Sequence, residues 1–251
     1  MSVSPVVHAD RRAIDRVVVV VPAHNEEELL PACLAALGIA ADRVDVQVET
    51  VVVLDACTDA TRHVVPPEVI TIACATQSVG AARRAGFARH LDPATDGATW
   101  FATTDADSEV PADWLVTHLS SAAAGHDAFV GTIAPKSWDS WSAHTRELFD
   151  ERYVTDDDHH HVHGANLGIR ADWYRRIGGF SARTGDEDVE LVRRLHAIRA
   201  RVDRSARSPV LTSTRPDGRT DDGFAAYLRG LERQGRTAAA SHRSRLTEGS
   251  R

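Results

Sequence analysis

Along the first half of the chain, short apolar runs alternate with amphipathic stretches. Val17 to Val21 is an unbroken β-branched run, the pattern of a strand buried on both faces. Pro22-Ala23-His24-Asn25 ends it, and Asn25 reads as the N-cap of a helix from about Glu26 to Leu37, with acids in its first turn. Val48 to Leu54 predicts a second strand, and the loop Asp55-Ala56-Cys57-Thr58-Asp59 offers Asp59 as the cap of a short helix. Val69 to Ala73 predicts a third strand, Val79 to Leu91 a helix, and Thr99 to Thr103 a fourth strand. Pro111 marks another helix start, because proline suits a first turn, and Ala128 to Ile133 predicts a further strand.

Repeated β-α units with short connections imply an α/β domain, a mostly parallel twisted sheet flanked by helices. In such sheets ligands bind at the carboxyl ends of the strands. The clusters Ala23-His24-Asn25-Glu26, Asp55 to Asp59 and Asp105 to Asp107 all fall at predicted strand ends, so they are expected on one edge of the sheet.

The second half is less regular. Lys136 to Val162 reads as a mobile loop with one helix, and it carries Asp156-Asp157-Asp158-His159-His160-His161. His163 to Arg170 predicts a short strand, Asp172 to Ile177 a helix, Gly178-Gly179 a turn, and Asp186 to Arg199 a strong helix. Beyond Arg215 the chain is rich in Arg, Ser, Thr and Gly, and Thr237 to Arg251 reads as a frayed tail.

Composition narrows the function classes. At 251 residues and 43% apolar content, the chain suits one large α/β domain or two small ones. A formal charge of -7 argues against nucleic-acid binding, which wants a basic face. Cys33, Cys57 and Cys74 are too few and too scattered for a disulfide scaffold or a zinc ribbon, and read as reduced thiols. Met1 to Arg16 lacks an apolar signal segment, and no run approaches the roughly 20 apolar residues of a membrane span. The expectation is a cytoplasmic protein, with peripheral membrane contact left open.

Thr104-Asp105-Ala106-Asp107, at the exit of the fourth strand, is the first candidate for chemistry. Two carboxylates one residue apart make a hard-oxygen site suited to Mg²⁺ or Mn²⁺, which commonly bridges carboxylates to substrate phosphates. A nucleoside diphosphate is the natural partner for that ion. Asp55 can accept a hydrogen bond from a base N–H or merely form its turn. Arg83, in Gly80-Ala81-Ala82-Arg83-Arg84-Ala85-Gly86, can reach phosphates near a helix N-terminus or simply cover an exposed helix face. Gly185-Asp186-Glu187-Asp188-Val189-Glu190-Leu191 complements a helix dipole or supplies a general base to an acceptor hydroxyl. His159-His160-His161 reads as a solvated loop, because neighbouring side chains diverge too far to share one ion. His163, beside Gly164-Ala165-Asn166, is the member that best faces a pocket. Trp138 and Trp141 either pack on the core or wall an acceptor site. Neither a Gly-x-x-x-x-Gly-Lys-Ser/Thr nor a Gly-x-Gly-x-x-Gly motif follows the first strand, which disfavours nucleoside-triphosphate hydrolysis and dinucleotide binding.

Taken in order, these segments resemble the family 2 glycosyltransferases of GT-A fold. The matching stretches are Val17 to Glu27, Val51 to Asp59, Gly80 to Gly86, Thr104 to Asp107, Gly164 to Arg170, Gly178-Gly179-Phe180, and Glu187 to Leu191 with Arg194-Leu195. The resemblance implies a single domain over 1–215, with a nucleotide-binding half at about 16–135 and an acceptor half at about 136–215. A C-terminal helix and flexible tail over 216–251 would follow. It implies a nucleotide-sugar pocket lined by Pro22, Ala23, Asn25, Glu26, Asp55, Arg83, Asp105 and Ala106, with Gly164 and Asn166 near the donor sugar or acceptor. Asp107, with Asp105, would hold Mn²⁺ or Mg²⁺. Asp188 would be the base of an inverting transfer from a UDP-sugar to a hydroxyl acceptor, with Glu187 beside it. Arg84, where many relatives carry asparagine, and His24, often an aromatic position, depart from the family pattern. The alternatives are a retaining transferase of the glucosyl-phosphoglycerate synthase type and a catalytically inactive nucleotide-binding partner protein.

Overall fold

An eight-stranded sheet organises the chain, in the order β3-β2-β1-β4-β7-β6-β8-β5. The computed structural model describes residues 12–182, 185–218 and 223–235; the expected fraying over Thr237 to Arg251 and most of the leader reading lie outside them.

The first four strands, β1 (Arg16–Ala23), β2 (Gln47–Asp55), β3 (Ile70–Cys74) and β4 (Thr99–Thr103), pair in parallel. Val17 to Val21 are all fully buried. Val17, Val19 and Val21 join one core, and Val18 and Val20 join the other, as period-2 alternation requires. Helix α1 (Leu30–Ala41) lays Leu30, Cys33 and Leu37 on the first core, and α2 (Val79–Ala88) lays Ala82 and Phe87 on the second. A Cβ at Gly86 would stand 2.6 Å from Val20 Cγ1, so only glycine lets α2 approach β1 this closely. The 3₁₀ turn Ala60–Val64 is capped by Asp59, whose carboxylate accepts from Thr61 N–H, as its sequence predicts.

The rest of the sheet is mixed. After β5 (Ser108–Glu109), α3 (Trp114–Ala123) leads to β6 (Ala128–Pro135) and α4 (Ala143–Arg152). Then come β7 (Leu167–Arg170), α5 (Ala171–Arg176), α6 (Glu187–Ala197) and β8 (Val202–Thr212). A last helix, α7, covers 224–235. β7 runs antiparallel between β4 and β6, β8 runs parallel to β6, and the short β5 runs antiparallel to β8. Six of the eight strands thus point one way, and their carboxyl ends share an edge.

Three expectations change. Asn25 does not cap α1: its backbone is left-handed (φ 54°), its side chain serves another loop, and the helix starts only at Leu30 with no acid in its first turn. Pro111 stands ahead of α3, with its carbonyl accepting from Trp114 N–H. β8 was not foreseen, because Val202–Thr212 mixes Arg, Ser and Pro with few apolar residues. Buried and exposed positions alternate in its second part, as in a strand with one wet face. Among the described residues, no helix is long and apolar enough to cross a membrane.

Candidate active site

The loop after β1 is fastened to its neighbours side chain by side chain. Asn25 Oδ1 accepts from the N–H groups of Thr58 (2.8 Å) and Asp59 (3.4 Å). His24 Nδ1 donates to the Asp55 carbonyl at 2.6 Å. Glu26 is buried, and its N–H donates to Thr61 Oγ1. Pro22 and Ala23 end β1 beside these groups, with Ala23 buried.

Asp55 ends β2 and gathers the loop that enters α2. Its Oδ1 accepts from Thr76 N–H (2.6 Å) and Gln77 N–H (3.0 Å), and its Oδ2 from Thr76 Oγ1 (2.8 Å) and Ser78 N–H (3.1 Å). Burial opposes its charge, but these donors outweigh burial and hold its pKa below the ordinary carboxylate value. Its lone pairs are therefore largely spent on the 76–78 loop, neither on a turn of its own nor free for a base N–H.

Arg83 lies on α2 and is only 2% exposed, which rules out the exposed-face reading. Its Nη2 donates to Asp105 Oδ1 at 2.6 Å and its Nη1 to Glu187 Oε1 at 2.5 Å. The guanidinium also lies over the Phe180 ring, 5.5 Å from its centroid. One buried cation thus ties the Asp-x-Asp loop to the start of α6, Arg83 and Glu187 being 104 residues apart. Gly164 presses on the same guanidinium, and a Cβ there would overlap its Nη2.

Asp107 pairs with a residue the sequence analysis did not single out. Arg215, just beyond β8, has Nη2 at 3.1 Å from Asp107 Oδ2, and its two Nη groups grip both Glu26 oxygens at 2.8 and 2.5 Å. Burial and the charges of Asp105 and Glu26 push the Asp107 pKa up to about 7, against the pull of Arg215. The only signal for Arg215 in the sequence is charge balance: converging acids with Arg83 as their sole basic neighbour need a second cation.

Asp188 completes the arrangement at the start of α6. Its Oδ2 accepts from Gly164 N–H and its Oδ1 from Val189 N–H, both at 2.7 Å. Burial raises its pKa to about 6; Glu187 adds to the rise, while Arg83 and the two N–H donors resist it. Together, Glu26, Asp105, Asp107, Glu187 and Asp188 set five carboxyl groups against Arg83 and Arg215. That leaves a formal excess of three negative charges when all are ionised, in a cluster at the strand ends.

Asn166 is not part of this cluster. It is fully buried, and its Oδ1 accepts from Trp114 Nε1 (2.8 Å) and His118 Nε2 (3.3 Å). Its Nδ2 donates to the carbonyls of Thr132 and Ser208, so it ties β6, β8 and α3 rather than facing a sugar. His163 is likewise occupied, 2.9 Å from Tyr153 Oη. His161 stacks on Tyr153 with centroids 4.1 Å apart, and burial lowers the pKa of His161 to about 4 and of His163 to about 3. The histidine tract is thus folded onto Tyr153 rather than solvated throughout. Trp138 packs on Phe149, and Trp141 donates to the Thr214 carbonyl at 2.6 Å, the core-packing alternative for both.

The donor set suits a hard divalent cation. Asp105 and Asp107 offer carboxylate oxygens, and the surplus negative charge favours a dication. Among the described residues, no three His, Cys, Asp or Glu side chains are placed so as to hold one metal ion between them. An ion held here would therefore complete its shell with water and substrate phosphate, the usual habit of Mg²⁺.

Comparison with known proteins agrees with this fold. The family model described as "Glycosyl transferase family 2" matches residues 18–178. No curated protein matches the chain. Among solved structures, TarS 1-349 of S. aureus in complex with UDP-GlcNAc superposes with a TM-score of 0.62 at 14% identity, over 83% of this chain and 61% of that one. Mannosyltransferase PcManGT from Pyrobaculum calidifontis, in complex with GDP-Man and Mn2+, gives 0.62 at 20% identity, over 91% and 65%. The chain thus spans about three fifths of the length of these structures, and at such identities the likeness is one of fold.

Proposed function

The chain belongs to glycosyl transferase family 2, and we propose that it moves a sugar from a nucleotide-sugar donor to a hydroxyl acceptor, with inversion and with a divalent metal. The single observation that carries this reading is the position of Asp188. Its carboxyl group has a raised pKa, sits on the Gly164 N–H, and lies in the same cluster as Asp105 through Arg83 and Glu187. Glu187, the neighbour of that base, and the acid Asp105 take opposite ends of one buried cation, which suits a transfer between two bound partners.

In this proposal Pro22, Ala23, Asn25, Glu26 and Ala106 line the nucleoside pocket, and Asp55 shapes it by holding the 76–78 loop. Asp105 and Asp107 hold Mn²⁺ or Mg²⁺, which when bound neutralises charge on the diphosphate leaving group. The acceptor oxygen attacks the anomeric carbon from the face opposite the diphosphate. Asp188 takes the acceptor proton as the new bond forms, while Arg83 keeps Glu187 and Asp105 in register. The segment 16–135 is assigned to the donor, 136–215 to the acceptor, and 216–251 to a C-terminal helix and tail; a cytoplasmic setting suits a nucleotide-sugar donor. A UDP-sugar is the first donor to test and GDP-mannose the second, since the two superposed structures hold UDP-GlcNAc and GDP-Man.

A thermal-shift screen of UDP, GDP and their sugars, with and without Mn²⁺, tests the reading. A metal-dependent rise in Tm is expected for one nucleotide series, because a ligand that prefers the folded chain stabilises it. No shift with any of them would overturn the proposal, and retention of configuration in the product, read by NMR, would overturn the inverting mechanism.

A further inference from the structure

Arg215 stands in the cluster in an unusual way. Its backbone neighbours are anchored: Ser213 N–H donates to the Asp107 carbonyl at 3.2 Å, Thr214 Oγ1 donates to the Ser137 carbonyl at 2.8 Å, and the Thr214 carbonyl accepts from Trp141 Nε1. The side chain reaches from that fixed base into the acidic cluster and remains 25% exposed. Arg83, by contrast, is enclosed, with its Nη atoms committed to Asp105 and Glu187. Lys136, the only lysine, is paired with Glu109. Among the described residues, Arg215 is therefore the cation of this cluster with access to solvent.

Its partners are unequal. The fork on Glu26 is two-pronged, the strongest geometry a guanidinium makes with a carboxylate. Asp107 receives only a share of Nη2, at 3.1 Å. Asp107 can be surrendered while the Glu26 fork holds the arginine in the site.

We propose that Arg215 is an exchangeable counter-ion: it neutralises Asp107 until a divalent cation takes that carboxylate, and its guanidinium then binds the diphosphate of the donor. The proposal rests on the donor-site reading above. It makes Arg215 a competitor of the metal alone but an ally of the metal with its nucleotide. The N–H groups of a planar guanidinium suit phosphate oxygens in charge and spacing, and one cation shared between two anions keeps negative charge covered at each stage.

The test uses the full chain, Arg215→Ala and Arg215→Lys, with folding checked by circular dichroism. Free Mn²⁺ is titrated by electron paramagnetic resonance, and UDP and GDP at saturating Mn²⁺ by calorimetry. Arg215→Ala is expected to bind Mn²⁺ alone roughly tenfold more tightly, because a competing charge is gone. The same variant should bind the nucleoside diphosphate roughly tenfold more weakly, because a charge-assisted hydrogen bond is lost. Arg215→Lys keeps the charge without the Glu26 fork that positions it, so it should hold Mn²⁺ affinity near that of the unaltered chain while nucleotide affinity falls. It also carries the test if the alanine variant does not fold. Unchanged or weaker Mn²⁺ binding by Arg215→Ala overturns the proposal, as does tighter Mn²⁺ binding without loss of nucleotide affinity. If neither UDP nor GDP binds the unaltered chain, the donor-site reading fails; if all three proteins bind them alike, only the role of Arg215 falls.

Discussion

Two polar islands in this protein follow opposite rules. The acidic cluster carries five carboxyl groups against two guanidinium groups, and burial, with neighbouring carboxylates adding to it, raises the pKa values of Asp107 and Asp188. The hub around Asn166 is neutral and closed. Trp100 Nε1 donates to His118 Nδ1 at 3.2 Å, which leaves the proton on His118 Nε2 for Asn166. Burial lowers the His118 pKa to about 3, so the ring stays uncharged. Buried polar groups that satisfy each other rigidify a core, whereas groups left with surplus charge mark a binding site. Asn166 and Asp188 belong to one resemblance, yet the structure sorts them to opposite sides of this distinction.

The sharpest way to break the contrast is to exchange one group in each island. Asp188→Asn removes the proton acceptor and should cut transfer by about 10³-fold, with donor affinity within twofold by calorimetry. Persisting activity would move the base to Glu187. Asp107→Ala should weaken Mn²⁺-dependent nucleotide binding by about 100-fold; equal affinity with and without Mn²⁺ in the unaltered chain would remove Asp107 from the metal site. Asn166→Ala should leave nucleotide binding alone and cost about 2 kcal/mol in urea unfolding, because Trp114 Nε1 and two carbonyls lose partners in the core. A variant as stable as the unaltered chain would deny the hub its structural role.

The smallest effect is in pH. Asp188 is harder to ionise folded, at about 6, than its ordinary 3.8. Its contribution to stability is therefore fully present below pH 3.8 and lost as pH rises through 6. His161 and His163 are lowered from 6.5 to about 4 and 3, so theirs is present above pH 6.5 and lost as pH falls through those values. The Tm of Asp188→Asn relative to the unaltered chain should accordingly rise between pH 4 and pH 7, while His163→Gln should lose its disadvantage on acidification. Parallel Tm profiles for all three proteins would erase the distinction. The same ionisation should make kcat/KM fall tenfold per pH unit below about 6.

The parallel half was legible because strands buried on both faces are mainly apolar, and Val17 to Val21 and Trp100 to Ala102 are. Asp59 was legible because capping is local. The start of α1 was not, because Asn25 spends its side chain on Thr58 and Asp59, a contact between loops that no local pattern encodes. β8 was hidden by its wet face. At the site, residue types were legible and partners were not. Arg83 looked like a phosphate ligand until Asp105 and Glu187 were found on it, and Arg215 was lost in an arginine-rich tail.

The fork between Arg215 and Glu26 closes over 189 residues. Contacts of such separation form late, since the chain between them must first be gathered. In a nascent polypeptide that has yet to reach residue 215, Glu26 and Asp107 lack that guanidinium. Translation must run past residue 215 before the acidic cluster has both of its cations.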